Sequence, residues 1–321
     1  MPPPGFDRWL EAYYLGRHPL ICAVRKSIAV AARETWPVLI TGETGTGKDM
    51  AALAIHAGSR RNVKEPQVVA VGGLGETAWS VLFGHHKGAF TGAERDHEGV
   101  FRMADGSTII LEDVAEIPVR IQPMLLRAVE HGTFRPLGVE REVRADVRII
   151  STTNTSLATE VDRGRFRADL YQRLSLLQIE IPPLREHLED LEIYVPHFLA
   201  RAAGPGRDVK TISPEGMEVL HGYRWPRNVR ELQHVLCRAS VESPGEIVTA
   251  KDLKKILGNS RLRSRPPKAG RPAVQMDRGL VIQTLRDSRG NKREAARRLG
   301  VAPGTFYRLV VRHRIGPNDL F

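Results

Sequence analysis

Val38-Leu39-Ile40-Thr41 runs straight into Gly42-Glu43-Thr44-Gly45-Thr46-Gly47-Lys48, and from Lys48 to Ala57 the apolar residues recur at helical spacing. Strand, glycine-rich loop and helix in that order admit few folds. The three glycines let backbone N–H groups turn toward phosphate oxygens, the helix start presents its positive end, and Lys48 reaches toward the β and γ phosphates of a nucleotide. Further apolar runs at Val68 to Val71, Thr108 to Leu111 and Val147 to Ser151 alternate with helical stretches such as Ile121, Met124, Leu125, Ala128 and Val129. That alternation predicts a parallel sheet covered by helices on both faces. After Ile181-Pro182-Pro183-Leu184 the strand signals cease, and residues 189–257 read as helices with Leu232, Val235, Leu236 and Ala239 on one apolar stripe. Gly258 to Gln275, with Arg265-Pro266-Pro267-Lys268, reads as a basic, semi-extended linker before helical periodicity returns at 277–316.

At 321 residues, 41% hydrophobic and 26% charged, the chain has ordinary globular composition and length for two or three domains. Its longest apolar runs, such as Ile28 to Ala32, are far too short to span a membrane, and Met1-Pro2-Pro3-Pro4-Gly5 lacks the regions of a signal peptide. A cytoplasmic location without membrane contact is expected. Cys22 and Cys237 stand apart without Cys-x-x-Cys spacing, so they are expected to be buried small apolar residues. The net charge of +11 is concentrated at one end: residues 259–321 carry 15 Lys and Arg against 4 Asp and Glu, whereas residues 1–258 carry 33 of each sign. Such an excess raises affinity for nucleic acid through release of counterions from phosphates.

Thr108-Ile109-Ile110-Leu111-Glu112-Asp113 is a strand ending in two carboxylates, which magnesium binding and water activation need at a strand's C-terminal end. Gly88-Ala89-Phe90-Thr91-Gly92-Ala93 has neither helical nor strand periodicity, and its two glycines permit backbone angles that other residues resist. It is expected to be a flexible tip that exposes Phe90. Glu294 to Val301 has Ala295 and Leu299 on one helical face with Gly300 as a stop, and Pro303 opens a second helix turning Phe306 and Leu309 inward. Helix, tight turn and helix form a DNA-binding signature. Tyr307, Arg308 and Arg312 lie on or near its outward face, while Ala302-Pro303-Gly304-Thr305 leaves Thr305 as one of few groups for base edges.

These motifs in this order, with Phe83-Gly84-His85 leading into the hexapeptide, resemble the sigma-54-dependent transcriptional activators, bacterial enhancer-binding proteins of the AAA+ class. The resemblance runs from about Leu15 to Gly316. It implies an α/β P-loop AAA+ domain with a parallel sheet, then a helical lid subdomain and a small all-α helix-turn-helix domain of the Fis type, whose match includes Asn291. The implied boundaries are 1–14 for an N-terminal extension, 15–183 for the ATPase subdomain, 184–257 for the lid, 258–276 for the linker and 277–321 for the DNA-binding domain. ATP and Mg2+ are the implied cofactors, held by Gly42, Glu43, Thr44, Gly45, Thr46, Gly47, Lys48 and Asp49. Asp49 stands where general phosphate loops have Ser or Thr and these activators commonly have an acid. At the strand end the family order is Asp then Glu, the first helping to hold the metal and the second polarising water; here Glu112 and Asp113 reverse the lengths. Val71-Gly72-Gly73 lacks the Asn that couples the water-activating acid to nucleotide state. Arg148 to Asn154 resembles the first sensor strand, with Thr153 and Asn154 placed to sense the γ phosphate. Gly164 to Leu174 matches the segment supplying arginine fingers, carried here by Arg167 and Arg173. Trp225 to Leu232 resembles the second sensor motif, with Arg230 on the nucleotide and Arg227 in place of the usual Gly.

The function so implied is activation of transcription by the sigma-54 RNA polymerase holoenzyme from double-stranded enhancer DNA. A homo-oligomeric, hexameric ring is expected because the arginine fingers would act across a subunit boundary, with ATP hydrolysis driving Phe90 and Thr91, flanked by Gly88, Ala89, Gly92 and Ala93, against sigma-54. Only about fourteen residues precede the ATPase region, so no receiver domain is expected and control is assigned to a regulatory protein in trans, expression level or self-assembly. Two rival readings stand beside it: a hydrolysis-impaired AAA+ paralogue acting as co-regulator, suggested by the reversed acids, and an AAA+ DNA-processing factor without a sigma partner.

Overall fold

Nine strands occur among the described residues: β1 Val38–Thr41, β2 Gln67–Ala70, β3 Thr108–Glu112, β4 Thr133–Phe134, β5 Val143–Arg144, β6 Arg148–Thr153, β7 Leu177–Glu180, β8 Thr211–Ile212 and β9 Ile247–Val248. Five of them build one parallel sheet in the order β2-β3-β6-β1-β7, with Val38 opposite both Ile150 and Leu177. The computed structural model describes residues 4–204, 208–263 and 278–288, together with Glu294, Ala295 and Arg298. The chain divides into two units, Met1–Gly258 and Asn259–Phe321.

Alternation along the strands supplies both faces of the sheet. Leu39, Ile109, Leu111 and Ile149 point into a core closed by the helices Ala78–Phe83, Gln122–His131 and Ala168–Leu174. Val38, Ile40, Ile110, Ile150 and Ile179 point the other way, against the helices Phe6–Tyr13, Pro19–Arg33 and Lys48–Ala57. Phe6, Leu10 and Tyr14 are buried in this second core, so residues 6–14 pack as part of the domain instead of standing ahead of it as an extension. Cys22 and Cys237 are partly exposed rather than buried, and Cys22 Sγ accepts from the guanidinium of Arg25 at 3.3 Å.

Past Leu184 a third core gathers Leu191, Tyr194, Phe198, Leu220, Leu232, Val235, Leu236 and Leu253 from helices Leu191–Ala203, Pro214–His221, Asn228–Glu242 and Ala250–Arg263, with Trp225 from the turn before the third of these. The predicted stripe on Asn228–Glu242 is the one buried here. β8 and β9 pair in parallel within this otherwise helical part, two residues each and too short to leave a periodic signal. The carboxylate of Asp190 ties this lid to the start of the α/β part by accepting the N–H groups of Arg17 at 2.5 Å and His18 at 3.0 Å. Helix Ala250–Arg263 runs on past Gly258, where the linker is expected to begin. In the second unit the helix Arg278–Asp287 buries Val281 and Leu285. The recognition candidates Thr305, Tyr307, Arg308 and Arg312 lie outside the described residues.

Candidate nucleotide cleft and exposed loop

The phosphate loop joins β1 to the helix Lys48–Ala57, and Gly42, Gly45 and Gly47 all take positive φ, at 152°, 83° and 100°. Gly45 is also pressed from outside: a Cβ there would stand 2.2 Å from the carbonyl of Arg227 on the lid. Only glycine fits both demands. Lys48 is 7% exposed, and its Nζ donates to the carbonyls of Gly42 at 2.9 Å and Glu43 at 3.1 Å. Burial pulls the Lys48 ammonium below the ordinary lysine range, while the carboxylates of Asp113 and Asp49 work against that shift.

Those carboxylates come from two elements. Glu112 closes β3, and Asp113 follows in the left-handed conformation at φ 53° before a single 3-10 turn, Val114–Glu116. Burial raises the Glu112 carboxyl above the usual range, Asp49 and Asp113 push it further, and Arg230 opposes them. Lys48, Asp49, Glu112, Asp113 and Arg230 thus form one electrostatic cluster. Arg230 Nη2 lies 3.4 Å from Asp49 Oδ2 across the gap between lid and loop. Asn154 reaches the loop, its Nδ2 donating to Thr44 Oγ1 at 3.2 Å. Thr153 does not: its buried hydroxyl is bonded within its own turn to the backbone of Thr155. Where the switch Asn is missing, a Cβ on Gly72 would stand 2.2 Å from a carboxylate oxygen of Glu116.

Beside Arg230, two lid residues that grip the loop, Asn228 and Arg185, were not among the residues the sequence singled out. Asn228 is fully buried at φ 52°; its Oδ1 accepts Leu184 N–H at 2.8 Å, and its Nδ2 donates to Thr44 O at 3.1 Å and Glu43 Oε2 at 3.2 Å. Arg185 forks onto Glu43 with two bonds of 2.8 Å, which holds the Glu43 carboxyl below its ordinary range. The backbone N–H of Arg230 adds a bond to Gly45 O at 3.2 Å. The loop partners of Arg185 and Asn228, Glu43 and Thr44, lie more than a hundred positions away in the chain, so no local pattern records these contacts. Between loop and lid a cavity of about 250 Å³ is lined by Tyr14, Ile21, Met50, His187, Tyr194 and Phe198 along with the loop glycines.

Arg167 begins the helix Ala168–Leu174 and is forked onto Asp169 at 3.0 and 2.7 Å, half exposed. Arg173 sits near the end of that helix with a buried Nε that has no hydrogen-bond partner among the described residues. Neither arginine lines the cavity between loop and lid.

The hexapeptide Gly88–Ala93 is a closed turn. Gly88 N–H donates to Ala93 O at 2.9 Å and Ala93 N–H to Phe90 O at 3.0 Å, with Gly88 and Gly92 at φ 83° and 101° and open space around both. Conformation, not crowding, therefore requires these glycines. Phe90 is 46% exposed with its ring set edge-on to His85, while Ala93 is buried. Ala89 packs toward Gly138, and His86 N–H bonds Leu137 O at 3.0 Å, so the tip rests on the loop between β4 and β5.

Comparison with known proteins agrees with this architecture. Residues 14–180 match the family described as the Sigma-54 interaction domain, residues 185–269 the AAA+ ATPase lid domain, and residues 274–308 the Fis family of bacterial regulatory proteins. The sheet order, the lid and the loop are those of an AAA+ domain. The chain belongs to the sigma-54-dependent transcriptional regulators. It is 38% identical to the transcriptional regulatory protein ZraR of Escherichia coli K12 over 294 residues, covering 91% of this chain and 67% of that one. The response regulator protein PilR of Pseudomonas aeruginosa is 38% identical over 298 residues, covering 89% and 66%. Among solved structures, NtrX from Brucella abortus in complex with ATP superposes with a TM-score of 0.67 at 27% identity, covering 94% of this chain and 69% of that one. Its ADP complex gives 0.71 at 27%, covering 96% and 71%. No helix among the described residues is long and apolar enough to cross a membrane.

Proposed function

We propose that this chain binds ATP with magnesium in the cleft between phosphate loop and lid, hydrolyses it in a ring of identical subunits, and uses the movement to press the Phe90 loop on sigma-54. The observation that carries this reading is the clustering of Lys48, Asp49, Glu112, Asp113 and Arg230 at one end of the sheet. The donor set suits a magnesium nucleotide: backbone amides and a buried cation for phosphates, with carboxylates for a hard cation beside them. ATP with magnesium supplies the phosphoryl group whose transfer to water powers the cycle. Gly45 to Lys48 would bind the phosphates and Glu112 would hold the metal. Asp113 would orient water, and Asn154, bonded to the phosphate loop, would register the γ phosphate. Arg167 and Arg173, which do not line their own chain's cavity, would complete a neighbour's by stabilising charge on the transferring group. NtrX, whose structures carry ATP and ADP, offers the analogy for the nucleotide.

Enhancer binding is assigned to the C-terminal segment, with Thr305, Tyr307, Arg308 and Arg312 as its contacts and the basic excess of residues 259–321 as its electrostatic support. The cytoplasm is the proposed location, as sigma-54 polymerase and DNA are the proposed partners. Promoter opening by sigma-54 polymerase with ATP and the purified protein tests the whole reading. Phe90→Ala should reduce opening by at least about tenfold while leaving ATP turnover intact, since a half-exposed aromatic anchor carries much of a contact's energy. Retained opening in that variant would favour the DNA-processing alternative.

One observation favours a second reading, a hydrolysis-impaired subunit acting as co-regulator. The shorter acid, Asp113, stands in the water-orienting place and in left-handed backbone. A displacement of about 1 Å there costs on the order of a hundredfold in rate. Steady-state ATP hydrolysis by the wild type and by the double variant Glu112→Asp/Asp113→Glu separates the two: turnover only after the exchange identifies the impaired subunit, and comparable turnover in both identifies the active one.

A further inference from the structure

Tyr14 ends the helix Phe6–Tyr13 and is held from both sides along its backbone. Its N–H donates to Leu10 O at 2.8 Å, and Arg25 Nη1 donates to the carbonyls of Tyr14 at 3.0 Å and Gly16 at 2.6 Å. The ring is 6% exposed among Phe6, Leu10, Ile21 and Ile55, yet its hydroxyl has no hydrogen-bond partner among the described residues. That hydroxyl lies at the wall of the cleft, where a Cβ on Gly47 of the phosphate loop would stand 3.5 Å from it. Burial raises the hydroxyl's pKa, with Tyr194 adding to the effect, so it remains a proton donor throughout the physiological range. Tyr194, facing the same cavity from the lid, shows the contrast: its hydroxyl is satisfied by Leu15 O at 3.1 Å.

An apolar ring would fill the same space without the cost of a buried unmade hydrogen bond, so phenylalanine would serve packing better than tyrosine does. The orphaned donor lies beside Gly47 of the phosphate loop, in a cavity that Tyr194 and Phe198 also line. We infer that Tyr14 is a nucleotide-binding residue of this chain, whose hydroxyl donates to an acceptor oxygen at the junction of ribose and α-phosphate. This inference rests on the nucleotide reading of the cleft. An oxygen at that junction is common to ATP and ADP, so the contact adds affinity for both alike and does not distinguish the γ phosphate.

Equilibrium titration of the full chain with ATP and with ADP, for wild type and Tyr14→Phe, tests it together with thermal melting of each protein free of nucleotide. The expected result is a loss of affinity of about three- to tenfold for both nucleotides, the range of one neutral hydrogen bond, with a nucleotide-free melting temperature equal to or above wild type because the orphan hydroxyl is gone. Unchanged affinity in Tyr14→Phe, with a wild type that binds, overturns the role of Tyr14 and leaves the cleft's function standing. A wild type that takes up neither nucleotide overturns both. A lowered melting temperature of the nucleotide-free variant also overturns the inference, since the hydroxyl would then have a structural partner within the fold.

Discussion

Asn228 carries more of the joint between lid and loop than any charged residue there. Its amide satisfies Leu184 N–H, Thr44 O and Glu43 at once, and its left-handed backbone aims it into that gap. Asn228→Ala leaves buried partners unmade and forces alanine into a conformation it resists, so a loss of about 2–4 kcal/mol is expected in urea unfolding. Asn228→Gly keeps the turn while losing the amide, and should be milder by about 1 kcal/mol. Equal losses in the two variants would remove the conformational part of this account. At this scale the sequence made the phosphate loop legible, since Gly42 to Lys48 are neighbours in the chain and act as neighbours. It did not reveal the contacts of Asn228 with Glu43 and Thr44 or the approach of Tyr14 to Gly47, which join segments apart in the chain.

Among elements, the lid meets the loop through interactions of unequal worth. The Arg185–Glu43 fork has good geometry, but both side chains are 44% exposed, where such pairs contribute at most about 1 kcal/mol. Arg185→Ala should therefore leave the unfolding midpoint nearly unchanged and instead speed hydrogen exchange at the start of the helix Asn228–Glu242. Unaltered exchange there would show that Asn228 and the Arg230 N–H hold the joint alone. The strand runs and the helix Lys48–Ala57 were legible because burial on two faces writes apolar runs into the chain. The pairing of β8 with β9 was not, since two residues carry no period. Likewise the exposed loop's rest on Leu137 and Gly138 joins segments that share no local pattern.

For the whole molecule, acidity should act through two buried histidines. His56, with Nδ1 2.9 Å from Thr108 Oγ1, and His187, 3.2 Å from Asp190, are both pulled below the ordinary histidine range, chiefly by burial. A depressed pKa means the unfolded chain binds the proton first. Their contribution is complete above the unfolded value of about 6.5 and is lost as pH falls through the folded values, with a slope of at most about 1.4 kcal/mol per pH unit for each. Glu112, raised instead, acts in the opposite sense. The melting temperature of the nucleotide-free chain should fall between about pH 6.5 and 5, and less steeply in His56→Gln. A variant slope matching wild type would clear His56 of the effect.

By itself the sequence determined the parallel sheet, the phosphate loop, the acid pair after β3, the aromatic-tipped turn and the basic C-terminal end, because each is written in consecutive residues under local rules of backbone and burial. Only the tertiary structure decided what walls the cleft. Tyr14, Arg185 and Asn228 meet the loop because the first helix and the lid both pack against it, and packing between remote segments leaves no period or spacing in the chain.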